Sequence, residues 1–274
     1  MGTKYKTISA NESQFLKKLD DEGRSWAYIS DLYEMFPQQS KESVRVTVKR
    51  MVDKGLLAKF GKDLVWVVPF NMEADTFLPD WHLMAEPLAG GNKYYIGYYS
   101  ALQVHGLITQ PSLKEQIVCK DHKAVTLNFQ GVDFQIIKHS DEHFFGTKKM
   151  WIDSYNKVVC SDLEKTIIDC LFMPNYAGGI VEIAKAMWTA KDKIDMKKLF
   201  SYAERFSSQA VIKRLGYLLE YLGMGEDIVP ALLSMRSSSI SPLDLEVPNI
   251  GKITIRWNLR INVDMETVSN ALIN

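Results

Sequence analysis

The chain is poor in the features that define several protein classes. It has three cysteines, Cys119, Cys160 and Cys170, an odd number without a CxxC spacing, which argues against a disulfide framework or a thiolate zinc site and for core residues. No apolar run approaches the roughly 18 residues of a membrane-spanning helix. The opening MGTKYKTISANESQ lacks the apolar centre of a secretory signal, and Lys6 stands where an acylation motif beginning at Gly2 needs Ser or Thr. A cytoplasmic location is the expectation. Glycine and proline are sparse, at 16 and 9, which excludes collagenous and low-complexity classes. Charge of one sign is missing too, because 33 Lys and Arg balance 33 Asp and Glu over 274 residues. Whole-chain charge therefore does not mark a nucleic-acid binder, although an average can hide a basic lobe.

Apolar residues are plentiful, at 46%, and the length suits about two domains. The first seventy residues predict a compact unit: a helix from Asn11 to Asp21, an extended piece from Trp26 to Ile29, and two more helices. Ser30 precedes DLYEMF, which ends at Pro37, and Ser40 precedes KESVRVTVKRMVDKG. Serine is a favoured N-cap, and Gly55 suits the left-handed turn after a helix. Leu56 to Phe60 and Leu64 to Val68 then flank Gly61-Lys62-Asp63 as a β-hairpin. That order is the order of a winged helix-turn-helix.

Within the third helix, Val44, Val48, Met51 and Val52 share one side at 3.6 residues per turn. Lys41, Arg45 and Lys49, with Ser43, Thr47 and Arg50 on the flank, are left outward, where cations and hydroxyls reach phosphates and base edges. Seven basic side chains between Lys41 and Lys62 outnumber Glu42, Asp53 and Asp63 just beyond, a net excess of four. The wing adds Lys59 and Lys62. The expected partner is double-stranded DNA.

Residues 71–92, interrupted by Pro79, Pro87 and Gly90-Gly91, predict a linker or strap between residues 1–70 and a second domain at 93–274. That domain should be α+β. A short helix lies near Tyr99 to Gly106, Gln116–Cys119, Thr126–Phe129 and Phe134–Ile137 are β-prone, and helices dominate from Ser161 to Leu222. Ile253, Ile255, Trp257, Leu259 and Ile261 alternate as one closing strand.

The strings YYIGYYSALQVHGLITQ, SDLEKTIIDCL, YAGGIVEIAKA and KRLGYLLEYLG, in this order behind a winged helix, resemble the AbiEi family of antitoxins over nearly the whole chain. The resemblance implies a bacterial phage-defence regulator from a type IV toxin–antitoxin pair. Its winged helix would bind inverted repeats in its own promoter. Its C-terminal antitoxin-type domain would counter a nucleotidyltransferase toxin without a stable complex between the two.

Chemistry-bearing candidates have plainer readings. Ser161 with Glu164 is a capping box rather than an acidic catalytic cluster, and Lys165 with Asp169 is an i,i+4 pair. His139 and His143, four apart, could face one metal only on a helix, and no third ligand is evident. His105 reads as a packed or capping residue. The chain lacks GxxxxGK[ST] and any Gly-Ser dipeptide, so Asp244 and Glu246 have no phosphate loop to work with. No catalytic residue, metal or cofactor is expected. Lys191, Lys193, Lys197, Lys198, Lys213 and Arg214 form a candidate second basic surface, for which ordinary solvation is the simpler reading. The competing function is a winged-helix protein-interaction module, or an atypical kinase that inactivates its toxin directly.

Overall fold

The computed structural model describes residues 6–108, 110 and 112–273, so Gly2 lies outside the described residues. The fold is α+β and divides into two compact units. One runs through Gly91 and takes in Asn128–Val132, and the other holds Asn92–Leu127 and the chain from Asp133 onward.

The first unit contains α1 (Ala10–Asp21), β1 (Trp26–Tyr28), α2 (Ile29–Met35), α3 (Lys41–Asp53), β2 (Leu57–Phe60), β3 (Leu64–Val67) and α4 (Ala85–Leu88). Ser9 and Glu12 form a capping box that starts α1. The apolar faces of α1, α2 and α3 meet around Phe15, Leu32, Val44, Val48 and Met51, all buried, and Phe15 stacks on Phe36 at 3.9 Å. Burial of each such side chain contributes about 1.5–3 kcal/mol. Strand β3 lies between β1 and β2 in an antiparallel sheet, with Trp26 opposite Trp66 and Phe60 opposite Leu64.

Two details differ from expectation. Ser30 is not an N-cap: α2 begins at Ile29 behind Tyr28, and the Ser30 hydroxyl donates to Asp63 at 3.2 Å. Residues 71–91 are not a free strap, since Phe77, Met84, Ala85 and Ala89 are buried and the segment clusters with the first unit. The Tyr28 hydroxyl donates to the Pro87 carbonyl, and the Lys6 ammonium to those of Pro69 and Met72. Apolar residues in a Pro- and Gly-broken sequence show no period, yet they still seek burial.

After the first ninety-one residues come β4 (Tyr94–Ile96), α5 (Tyr98–Val104), β5 (Lys114–Cys119), β6 (Val125–Phe129), β7 (Val132–Lys138), β8 (Thr147–Trp151) and β9 (Lys157–Ser161), all of the second unit except residues 128–132. These strands make one six-stranded sheet in the order β6-β7-β5-β4-β9-β8, larger than the three strands legible in the sequence. Strand β4 pairs antiparallel with β5 and parallel with β9, while β8 is an outer strand paired antiparallel with β9.

Helices α6 (Leu163–Phe172), α7 (Gly179–Thr189), α8 (Met196–Phe206), α9 (Gln209–Tyr221) and α10 (Val229–Met235) follow. Then come β10 (Ser241–Pro242), β11 (Lys252–Thr254), β12 (Leu259–Ile261) and α11 (Met265–Ile273). The expected single closing strand is instead two short ones. The chain reverses at Asn258, with φ 50°, so β11 and β12 pair antiparallel and leave Ile253 and Ile255 exposed. Between them Trp257 turns inward onto α9 and is 1% exposed. No helix among the described residues is long and apolar enough to cross a membrane.

Candidate nucleic-acid interface

Helix α3 is built outward from its cap. The Ser40 hydroxyl accepts from the Ser43 amide at 3.1 Å, and Gly55, with φ +70°, lets the chain leave the last turn while Leu56 N bonds Met51 O at 2.9 Å. Because Val44, Val48 and Met51 are drawn into the core, Lys41, Ser43, Arg45, Lys49 and Arg50 are held outward, and all five are exposed. Thr47 is a correction: it is 5% exposed, its hydroxyl donates to Ser43 O at 3.0 Å, and it faces α1 through Asn11. Four residues before the buried Met51 and next to Val48, it falls on the inward flank.

Lys41, Arg45 and Lys49 follow at intervals of four and so form one row along the helix. Arg45 and Lys49 of that row line an open groove of about 480 Å³, together with Tyr33, Lys59 and Lys62. Lys59, on β2, and Lys62, in the β2–β3 turn, are both exposed. The turn is fixed to α2 by Ile29 N on Asp63 O at 2.7 Å. Arg50 and Ser43 stand on the other flank, and Val46 lies between, 39% exposed.

Tyr33 carries no local sequence signal that marks it as part of this face. Its hydroxyl accepts from Arg45 Nε at 2.7 Å, and the Arg45 guanidinium and Lys41 ammonium lie 5.7 and 5.6 Å from its ring centroid. Arg45 nonetheless remains largely open, with Glu42 4.0 Å away. Lys54, counted in the basic lobe, is withdrawn from it, because its ammonium binds the buried Glu12 carboxylate at 2.8 Å. That bond, ahead of the Ser9 amide, holds the Glu12 carboxyl below its ordinary range.

The candidate second basic surface shrinks to Lys191, Lys193 and Lys197, which are exposed. Lys198 is bound to Asp162 and Glu164 at 3.0 and 2.7 Å. Lys213 is fully buried and donates to the hydroxyls of Ser237 and Ser239. Arg214, 1% exposed, donates to the carbonyls of Leu171, Phe172 and Pro242, closing the end of α6, and burial lowers its pKa to about 10. Helix α9 is enclosed nearly all round, so an edge position on its helical wheel is still interior.

Other candidates resolve as parts of the scaffold. Asp162, rather than Ser161, caps α6 by accepting from Lys165 N at 3.0 Å, and the Ser161 hydroxyl pairs with that of Thr166 at 2.7 Å. Asp244 accepts from the Ile180 amide at 2.6 Å and so caps α7 from a distant segment. His105 is the C-cap of α5, with Nε2 2.9 Å from the Ser161 carbonyl. The three cysteines are buried and free, and burial raises each thiol, that of Cys119 to about 11.

His139 belongs to a buried polar network. Residues 141–143 are a single 3-10 turn, and the His139 and His143 rings sit edge-on at 6.1 Å. Among the described residues no group of three or more His, Cys, Asp or Glu could hold a metal. The Tyr95 hydroxyl donates to Asp169 at 2.9 Å, so its oxygen must accept at His139 Nδ1, 3.2 Å away. Nε2 then accepts from Tyr98 at 2.6 Å, which fixes the Nδ1–H tautomer. Lys165 pairs with Asp169 and donates to Tyr95 at 3.1 Å. The i,i+4 pair legible in the sequence is present and fully buried. Tyr98 carries an unfavourable φ of 53° that this bond and its burial hold in place.

The chain is thus a two-unit α+β protein whose first unit exposes a cationic helix face beside a basic hairpin. No protein-family model matches it, and no curated protein matches it. The crystal structure of the RV2827C protein from Mycobacterium tuberculosis is similar in fold, with a TM-score of 0.72 at 12% sequence identity, covering 98% of this chain and 97% of that one.

Proposed function

We propose that the first unit is a winged helix-turn-helix and that the protein is a DNA-binding transcriptional autorepressor. In this reading α3 enters the major groove of an operator of inverted repeats in the protein's own promoter, and the Gly61–Asp63 turn runs beside the backbone. The observation that carries it is Arg45 and Lys49 standing open across a groove from Lys59 and Lys62, with Lys41 exposed in the same helical row. Arg45 and Arg50 suit bidentate contact with guanine, Val46 suits a thymine methyl, and the lysines suit phosphates. The order of helices and strands in the first unit supports the same assignment.

With the AbiEi resemblance, the second unit is the antitoxin domain of a type IV pair, acting in the cytoplasm and without catalysis against a nucleotidyltransferase toxin. A gel-shift titration against DNA immediately upstream of the gene tests the repressor. Affinity should fall steeply as salt rises fourfold, because each neutralised phosphate releases counterions. Salt-independent affinity, or none above that for random duplex, overturns the reading. Co-expression with the downstream gene product tests the antitoxin. Rescue of growth without co-purification supports it, whereas a stable complex or nucleotide-dependent labelling of the toxin points to direct inactivation.

A further inference from the structure

The outer strand β8 and its turn into β9 carry an arrangement that duplex binding by α3 leaves unused. Lys148, Lys149, Trp151, Tyr155 and Lys157 are all exposed, Trp151 by 59% and Tyr155 by 89%. Trp151 pairs across the hairpin with Lys157, so both side chains rise from the same face, and the Lys157 ammonium lies 4.1 Å from the indole centroid. Lys149, two residues before Trp151, points to that face as well. The acid of the segment, Asp153, is engaged in the turn: it accepts from the amides of Tyr155 and Asn156 at 2.7 Å each and from the Asn156 side chain at 2.8 Å. These three hydrogen bonds close the turn that bears Tyr155.

Lysines on an outer strand are a familiar defence against edge-to-edge pairing. That role accounts for Lys148 and Lys149 but not for a tryptophan and a tyrosine presented to water beside them. Exposed aromatic rings interleaved with ammonium groups match a ligand with flat, unpaired rings on an anionic chain. A duplex buries its base faces and offers such rings nothing to stack on, and an acidic peptide would use the lysines alone.

We propose that the β8–β9 hairpin binds single-stranded nucleic acid, with Trp151 and Tyr155 stacking on bases and Lys149 and Lys157 contacting phosphates. The site shares no residue with the duplex-binding face, so the two stand or fall separately.

The test uses the full chain carrying Lys49→Ala and Arg50→Ala to silence α3, and labelled oligonucleotides of roughly twelve nucleotides as RNA, as DNA and as duplex. Fluorescence anisotropy should show single strands binding better than duplex, with the RNA and DNA arms identifying the preferred sugar. Trp151→Ala should weaken single-strand binding by roughly tenfold, Trp151→Phe should restore most of it, and Lys157→Gln should reduce the salt dependence. Unchanged unfolding midpoints establish that these exposed variants are folded. Single-strand affinity insensitive to Trp151→Ala, duplex competing as well as single strand, or displacement by a polyglutamate peptide at equal charge would each overturn the proposal.

Discussion

Tyr33 holds Arg45: the phenol oxygen accepts from Arg45 Nε at 2.7 Å across α2 and α3. A long cationic side chain on an exposed helix is ordinarily mobile, and fixing it before DNA arrives lowers the entropy lost on binding. Arg45→Ala should cost about 1–3 kcal/mol of operator affinity and relax discrimination at one base position. Tyr33→Phe keeps the ring but not the acceptor, and should cost about 0.5–1.5 kcal/mol. Operator affinity measured for both variants checks this, and Tyr33→Phe binding like wild type would remove Tyr33 from the site.

The hairpin lysines should behave differently. Lys59→Ala and Lys62→Ala should weaken operator and random duplex alike, and each should reduce the salt slope by about one. Titrations at several salt concentrations check it. A loss confined to the operator would mean that the turn reads bases.

Gly216 and Trp257 fix the packing of the second unit. A Cβ placed on Gly216 would lie 2.0 Å from the Trp257 ring, which is anchored by its indole N–H on Glu220 at 2.6 Å. Gly216→Ala should therefore destabilise the protein by about 1–3 kcal/mol, against the usual preference for Ala within a helix. Urea unfolding of this variant beside the exposed Lys197→Ala separates packing from a general effect of substitution.

The buried network predicts a pH dependence. Burial lowers His139 to about 4 from its ordinary 6.5. Between those values the unfolded chain binds more protons than the folded one, so stability rises with pH. The contribution is complete above about 6.5 and is lost as pH falls through about 4. His139→Gln keeps a donor and an acceptor but does not titrate, so its stability gap to wild type should narrow on acidification from pH 7 to 4. A constant gap would show that the folded state leaves the His139 pKa at its ordinary value.

Lys165 offers a second probe of the same network. Burial lowers its pKa against the pull of Asp169, and Lys165→Met would leave that carboxylate buried and unpaired. The expected cost is about 3–5 kcal/mol, read from chemical unfolding at neutral pH.

Where the sequence held regular periods and caps, it was legible. The Ser40 cap, the Val44, Val48 and Met51 stripe, Gly55 and the Gly61-Lys62-Asp63 turn are local signals, and they placed α3 and its hairpin with seven of the eight candidate contacts exposed. Thr47 was misplaced because its helical position lies at the boundary between faces, and only the approach of α1 decides which side it joins.

Local composition fixed the α+β class, the basic character of the third helix and the burial of the cysteines, because these follow from periodicity and hydrophobicity within a few turns of chain. Tertiary structure alone decided that Lys213 and Arg214 are interior, that Lys165 meets Tyr95 and His139 in the core, and that Tyr33 holds Arg45. Those outcomes depend on which helix packs beside which. A charge reads as solvent-exposed in one dimension until a distant segment supplies carbonyls or hydroxyls to satisfy it within the interior.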